Sequence, residues 1–361
     1  MKPWRSLELG NVVTFQRGFD LPHRLRKMGG VPIVSSAGVT DHHDVAMVSP
    51  PGVVTGRYGT IGELFYLEEP FWPLNTTLFV RDFHGNDPRF AFYLLHLFDF
   101  QVFSGKSGVP GVNRNDLHAE RVTIPTDVAE QSAIASALND VDALLSSLDA
   151  LIAKKRDIKQ AAMQQLLTEK TRLPGFEGEW LVKSIEQCAD CLDNVRVPLN
   201  DSERSRIPGD YPYCGANGVL DFVNDFVIDD DIILMAEDGG YFDEYRTRPI
   251  AYRMNGKCWV NNHAHILKAK EEVDQGFLFY SLVHKNILNF LASGTRAKLN
   301  KSEMLKIEVS FPPMKAEQTA IAEVLSDMDG ELATLEARRD KTHLLKRGMM
   351  QELLTGKTRL V

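Results

Sequence analysis

The sequence predicts an α+β protein in which two mixed α/β segments are joined by two long antiparallel helices forming a coiled coil, with pseudo-two-fold symmetry. Three observations carry this expectation. Residues 125–173 recur at 312–360 without a gap, 187 positions later, with 24 of 49 positions identical, and a repeat of that quality dictates architecture. Each copy holds a heptad pattern free of proline. The segments before each copy break into short apolar runs and glycine-rich turns. The expected order is a mixed segment at 1–124, a repeated helix at 125–172, a second mixed segment at 173–311 and a second repeated helix at 312–361.

In the first repeated segment, Ile134, Leu138, Val141, Leu145, Leu148 and Ile152 alternate steps of four and three, which is a coiled-coil seam. Ile321, Leu325, Met328, Leu332 and Leu335 keep the register in the copy, and Ile158, Ala162 and Leu166 match Leu345, Met349 and Leu353 further on. Glu130 to Leu167 lacks both Gly and Pro, so one helix of roughly 57 Å is expected. The simplest burial of two such stripes is helix against helix, with flanks left for helices of another subunit. In the mixed segments Gly52-Val53-Val54 and Asp231 to Met235 read as strands, and Phe90 to Phe100 and Gly276 to Leu291 as amphipathic helices. Between the halves, the Pro and Gly residues of Leu173-Pro174-Gly175-Phe176-Glu177-Gly178-Glu179-Trp180 stop the helix and redirect the chain.

Composition narrows the function classes. With 361 residues, 43% hydrophobic and 25% charged, the chain is long enough for two domains and neither disordered nor fibrous. No apolar run spans a bilayer, and Met1-Lys2-Pro3-Trp4 lacks the apolar stretch of a secretory signal, so a cytoplasmic location is expected. Cys188, Cys191, Cys214 and Cys258 are expected to be free thiols. The net charge of −8 argues against a broadly basic nucleic-acid binder. The acid is concentrated, however: residues 173–312 carry seven excess acids, while 1–125 and 313–361 balance. Any DNA-facing surface is then a local patch.

Catalytic motifs are incomplete. Gly105-Lys106-Ser107 and Gly356-Lys357-Thr358 look like the end of a phosphate loop, but Phe100 and Gln351 stand where its first glycine belongs, and no nest of N–H groups forms without it. Ser49-Pro50-Pro51-Gly52 lacks the aromatic residue that an amino-methyltransferase stacks on a flipped base. His42-His43-Asp44 and His263-x-His265 do not by themselves converge on a metal. Cys188-x2-Cys191 is half of a zinc motif, without a second close cysteine pair. No catalytic residue, metal or cofactor is therefore assigned.

Recognition chemistry is better represented. Loops that mix Arg, Lys, Asn and Tyr with Gly can reach phosphates and base edges, and they recur before both long helices. In the first half the candidates are Arg57, Tyr58, Thr60, Lys106, Asn113 and Arg114. In the second they are Tyr241, Arg246, Arg296, Lys298, Asn300 and Lys301. Arg57 and Arg114 suit base edges best, because a guanidinium engages guanine bidentately.

At these residues the chain resembles the specificity subunit of type I restriction-modification systems. The likeness rests on the repeat, on the junction from Thr171 to Trp180, and on Pro125 to Glu130-Gln131 and Pro312 to Glu317-Gln318, which look like the family's Pro-x-x-x-x-Glu-Gln helix start. Gly56-Arg57-Tyr58-Gly59-Thr60-Ile61-Gly62 and Pro73-Leu74-Asn75-Thr76 look like a recurrent turn and strand of its target recognition domains. The resemblance implies a noncatalytic subunit of a site-specific deoxyribonuclease and adenine methyltransferase complex. Each recognition domain would read half of a bipartite double-stranded DNA target. The helices, through Ile134, Leu138, Val141, Leu145, Leu148, Ile321, Leu325, Met328, Leu332 and Leu335, would bind each other and two modification subunits carrying the S-adenosylmethionine site, with restriction subunits joining that core. The second half departs from the pattern, with Ala236-Glu237-Asp238-Gly239-Gly240-Tyr241 in place of the arginine-bearing turn. The alternatives are a self-contained metal-dependent hydrolase or methyltransferase, and a coiled-coil scaffold that never meets DNA. The repeat is also cyclic, since Trp4 supplies the continuation that follows Leu173 but not Leu360, so the first and last segments are expected to meet.

Overall fold

The computed structural model describes residues 3–104, 111–292 and 297–360. The chain divides into two compact units, Met1–Ala150 with Ala337–Val361, and Leu151–Glu336. Each holds one mixed segment and a portion of each long helix.

The long helices run Val128–Leu166 and Lys315–Leu353, 39 residues each. Their starts explain the Glu-Gln motif. Gln131 Nε2 donates to the Pro125 carbonyl at 2.9 Å and Gln318 Nε2 to Pro312 at 3.1 Å, so one side chain satisfies a carbonyl just ahead of the first turn. Beyond their C-terminal ends, Glu169 and Gly356 hold the equivalent left-handed position, φ 61° and 74°. The N–H groups of Thr171 and Thr358 reach back to the carbonyls of Gln165 and Glu352, 3.2 Å in both copies, which closes each helix in a left-handed cap.

Within the first unit the helix segments run antiparallel, with Asp142 paired to Lys346 at 2.6 Å and Asp149 to Arg339 at 3.9 Å. Leu145, Leu148 and Thr342 are buried in the stretch these pairs flank. In the second unit Lys155 pairs with Glu331 at 2.7 Å, Arg156 with Glu336 at 2.5 Å, and Lys159 with Asp329, again antiparallel, with Leu332 buried. The expected seam is corrected at two equivalent places: Ile158 is 43% exposed and Leu345 57%. The cause is a change of neighbour along the helix. Ile134 and Leu138 pack into the domain core with Phe90 and Leu94, and Ile321 and Leu325 do the same with Phe277 and Phe311, whereas further along each helix the charged pairs set which face turns inward. Val141, Met328 and Leu335 are half-buried.

In the first unit a four-stranded antiparallel sheet has the order Thr14–Arg17, Thr77–Asp82, Gly52–Gly56, Leu64–Leu67, and a three-stranded sheet joins Gly38–His43, Val31–Ser35 and Trp72–Pro73. In the second unit the corresponding strands merge into one six-stranded sheet, because Ala251–Val260 is a single ten-residue strand. Glu68-Glu69-Pro70 interrupts that strand in the first unit, and a proline cannot donate to a ladder. The amphipathic helices are shorter than the sequence predicts, Pro88–Leu95 and Gln275–Val283. Their N-caps Asp87 and Asp274 each accept from an N–H three residues on at 2.8 Å. The same aspartates accept from Ser132 at 2.7 Å and Thr319 at 3.0 Å on the long helices. The domain helix is thereby registered on the long helix.

Two further contacts repeat in both units. Tyr93 donates to Asp142 and Tyr280 to Asp329, both at 2.7 Å, and each carboxylate also meets the lysine named above. Burial, then the neighbouring carboxylate, raises both phenol pKa values. Arg359 grips Glu130 through two nitrogens and Arg172 grips Glu317 likewise, at 3.0 and 2.5 Å in the latter. Trp4 Nε1 donates to Glu130 at 3.3 Å, so the first and last described segments do meet.

Candidate nucleic-acid interface

The strand Gly52–Gly56 is followed by Arg57, whose backbone is held from both sides. Its N–H donates to Thr76 at 2.8 Å and its carbonyl accepts from Val112 at 3.0 Å. Tyr58 lies across Gly111, where a Cβ would overlap its ring, and the Arg57 guanidinium sits 4.5 Å from the centre of that ring. A stacked guanidinium keeps its donors free in one plane. The short helix Arg114–Ala119 starts from Asn113, whose side chain accepts from the Asn115 N–H at 3.0 Å. These elements enclose a cavity of about 430 Å³ that brings together Arg17, Arg57, Asn113, Arg114 and Asn115. Arg17 also meets Asp20 at 3.7 Å and Arg114 donates to the Phe15 carbonyl at 3.4 Å, and the cavity lining has three arginines and no acid. Thr60 is exposed beside it, its carbonyl close against Gly56.

The second unit places Glu237 where the first has Arg57. Glu237 N–H donates to His263 at 2.8 Å and its carbonyl accepts from Leu299 at 2.7 Å, and His263 and Leu299 stand 187 positions after Thr76 and Val112. Continued two residues past its last pair, Cys191 with Leu267, the strand register sets Asp193 where Arg17 lies, beside His265 in place of Leu78. Charge is thus inverted at two of three arginine positions, while Lys301 keeps the sign of Arg114. Glu237 is held by Arg196 at 2.6 Å and Lys298 at 2.8 Å. Burial alone would raise its carboxyl, but these two cations pull the pKa below its ordinary value. Asp193 is likewise lowered against its burial, by the His265 ring and the Ile266 N–H.

The candidates therefore fall into different places. Arg57, Asn113 and Arg114 converge, with Tyr58 supporting Arg57. Lys298 spends its charge on Glu237, while Asn300 and Lys301 are exposed at the start of the short helix Lys301–Met304. Tyr241 is covered by Arg248, 3.1 Å above its ring. Arg246 lines a different cavity of about 640 Å³ with Arg156, Lys159, His284 and Glu336. Lys106 and Arg296 lie outside the described residues. Arg17, Asp193 and Arg196 escaped the sequence reading, because each stands alone in sequence. The signal that exposes Arg17 and Asp193 is the strand register, which pairs positions some sixty residues or more apart.

Known proteins agree with this architecture. A family pattern described as "Type I restriction modification DNA specificity domain" matches residues 1–156 and again 177–343. A putative type I restriction enzyme specificity subunit of Haemophilus influenzae is 36% identical over 153 residues, 42% of this chain and 38% of that protein, so this match spans less than half of either. The putative MjaX specificity subunit of Methanocaldococcus jannaschii is 25% identical over 301 residues, covering 76% of this chain and 69% of its own length. In three dimensions the fold is similar to the type I restriction-modification S subunit from M. genitalium, with a TM-score of 0.73 at 16% identity over 98% of this chain and 96% of that one. With the family pattern matched twice across most of its length, and a long helix following each match's strands, the chain belongs to the type I restriction-modification DNA specificity family.

Proposed function

We propose that the chain is a noncatalytic specificity subunit that reads a bipartite double-stranded DNA target, one half-site by residues 1–124 and the other by 173–311. The repeated helices at 125–172 and 312–361 scaffold two adenine-methyltransferase subunits, to which restriction subunits attach. The observation that carries this reading is the convergence of Arg17, Arg57 and Arg114 with Asn113 and Asn115 in one cavity, donor chemistry suited to guanine and adenine edges. The helices support the scaffold role through Leu144, Leu151, Ile158, Leu344 and Leu345, large apolar side chains that remain exposed.

The balanced charge of the first segment and the acidity of the second give few cations for phosphate. Each neutralised phosphate adds about 0.9 to the salt slope, so the free chain binds DNA weakly and its partners supply much of the phosphate contact. The test is to map methylated adenines in cells carrying the methyltransferase subunits with and without this chain, then with residues 1–124 exchanged for another recognition domain. The expected result is methylation that depends on the chain and a change in one half-site only. Methylation indifferent to the chain, or an exchange that alters both half-sites, overturns the reading.

A further inference from the structure

The second unit gathers three different metal-binding side chains at one point. Among the described residues, Cys191, Asp193 and His265 offer a sulfur, a carboxylate oxygen and a ring nitrogen that all lie within 4.8 Å of one another. They come from two paired strands: Cys191 ends Ala189–Cys191, Asp193 follows it, and His265 lies on Ala264–Ala269. The grouping differs from the Cys-x2-Cys pair visible in the sequence. Cys188 is fully buried and its Sγ lies 3.6 Å from the Ile185 carbonyl.

His265 is the telling member. It is 1% exposed, and both ring nitrogens face acceptors: Nε2 the Leu299 carbonyl at 2.8 Å, Nδ1 the Asp193 carboxylate at 2.7 Å. A neutral imidazole has one N–H and cannot donate twice, so Nδ1 needs a second cation, either a proton or a metal ion. A ring N–H donated to a backbone carbonyl, with the other nitrogen free for an ion, is the usual support of a metal-binding histidine. Cys191 brings a third donor atom to the same point. Asp193 has its Oδ1 occupied by the Ile266 N–H at 3.0 Å, while its Oδ2 faces the ring and, at 3.3 Å, the Arg196 guanidinium.

We propose that Cys191, Asp193 and His265 form a zinc-class divalent metal site that fastens the end of this sheet to the segment carrying Lys298 and Asn300. One sulfur, one nitrogen and one oxygen suit a borderline-soft ion. On binding, the thiol proton and any proton on Nδ1 leave to solvent, and a thiolate, a carboxylate and a neutral ring face the dication. Around this cluster Arg196 and Lys298 hold Glu237, whose Oε2 stands 3.7 Å from Nδ1.

The test uses the full chain, stripped with chelator and titrated with Zn²⁺ or Co²⁺. The expected result is one ion per chain, a raised thermal midpoint with zinc, and a thiolate-to-cobalt charge-transfer band. Cys191→Ser should abolish the band and lose the stoichiometric zinc, as should His265→Gln, while Cys188→Ser retains both. X-ray absorption of zinc in the unaltered chain should report one sulfur ligand, a readout that survives if a variant fails to fold. No stoichiometric zinc, a zinc shell without sulfur, or zinc retained by folded Cys191→Ser overturns the proposal.

Discussion

The two units are alike where they meet the long helices and opposed where the strands end. Tyr93 and Tyr280, Asp87 and Asp274, Glu130 and Glu317 make matching contacts at corresponding positions. At the strand ends Arg57 faces Glu237 in the comparison, and Arg17 faces Asp193. One backbone thus carries a cluster of guanidiniums in one unit and an internally neutralised acid cluster in the other. Contacts that build the fold constrain a residue through its neighbours, whereas a side chain at a strand end answers to whatever it binds. The two halves are therefore expected to read different sequences by different chemistry.

The largest effect should come from the part the units share. Leu145→Asp places a carboxylate in a buried helix contact and should cost roughly 4 kcal/mol or more, while Ile158→Asp, at an exposed position of the same helix, should leave the chemical-denaturation midpoint nearly unchanged. Equal losses would mean that the seam runs through Ile158 after all. Next, Glu130→Gln and Glu317→Gln each remove the carboxylate that a partly exposed arginine grips, and each should lower the denaturation midpoint by less than Leu145→Asp does. Nearly equal losses sharpen the likeness of the two units, and a large disparity breaks it. Glu130 adds a pH signature. Hydrogen bonding from Arg359 holds its carboxyl below the usual glutamate range, so its contribution is complete above that range and disappears as pH falls through the depressed value. Acid titration of the denaturation midpoint should show this component in the parent chain and not in Glu130→Gln.

Smaller effects test the opposed ends. Arg57→Ala should relax one position of the first half-site by about 1–3 kcal/mol, read as methylation of near-cognate sites. Glu237→Ala should leave that half-site untouched. Unchanged specificity in Arg57→Ala would remove the arginine cavity from base reading. The smallest change is Tyr93→Phe or Tyr280→Phe, each about 1 kcal/mol and equal within error in a denaturation experiment.

The sequence made the helices legible because their repeat is long and nearly half identical, although the helices run only Val128–Leu166 and Lys315–Leu353 within the expected segments 125–172 and 312–361. The seam was legible only in part. Periodicity counts apolar residues without naming what covers them, and each helix passes from a domain core to a partner helix along its length. Phe90 to Phe100 looked like one helix, but it stops at Leu95, and Asp99 caps a separate short turn at Phe100–Phe103. Of the residues that line the arginine cavity, Arg57, Asn113 and Arg114 are legible from composition and loop position. Arg17 was not, since only strand pairing brings it to them, and Lys298 was read as a free cation because Glu237 lies sixty-one residues away.

The tyrosine, aspartate and lysine that join each recognition domain to the helices behave as a standard fitting. None of the three belongs to the strand ends that differ between the units, so substitutions at those ends leave the join intact. On the proposed function, a lineage explores new targets through the strand ends with no compensating change in the long helices. Inheritance of assembly is then separate from inheritance of specificity, and a new address costs nothing at the join.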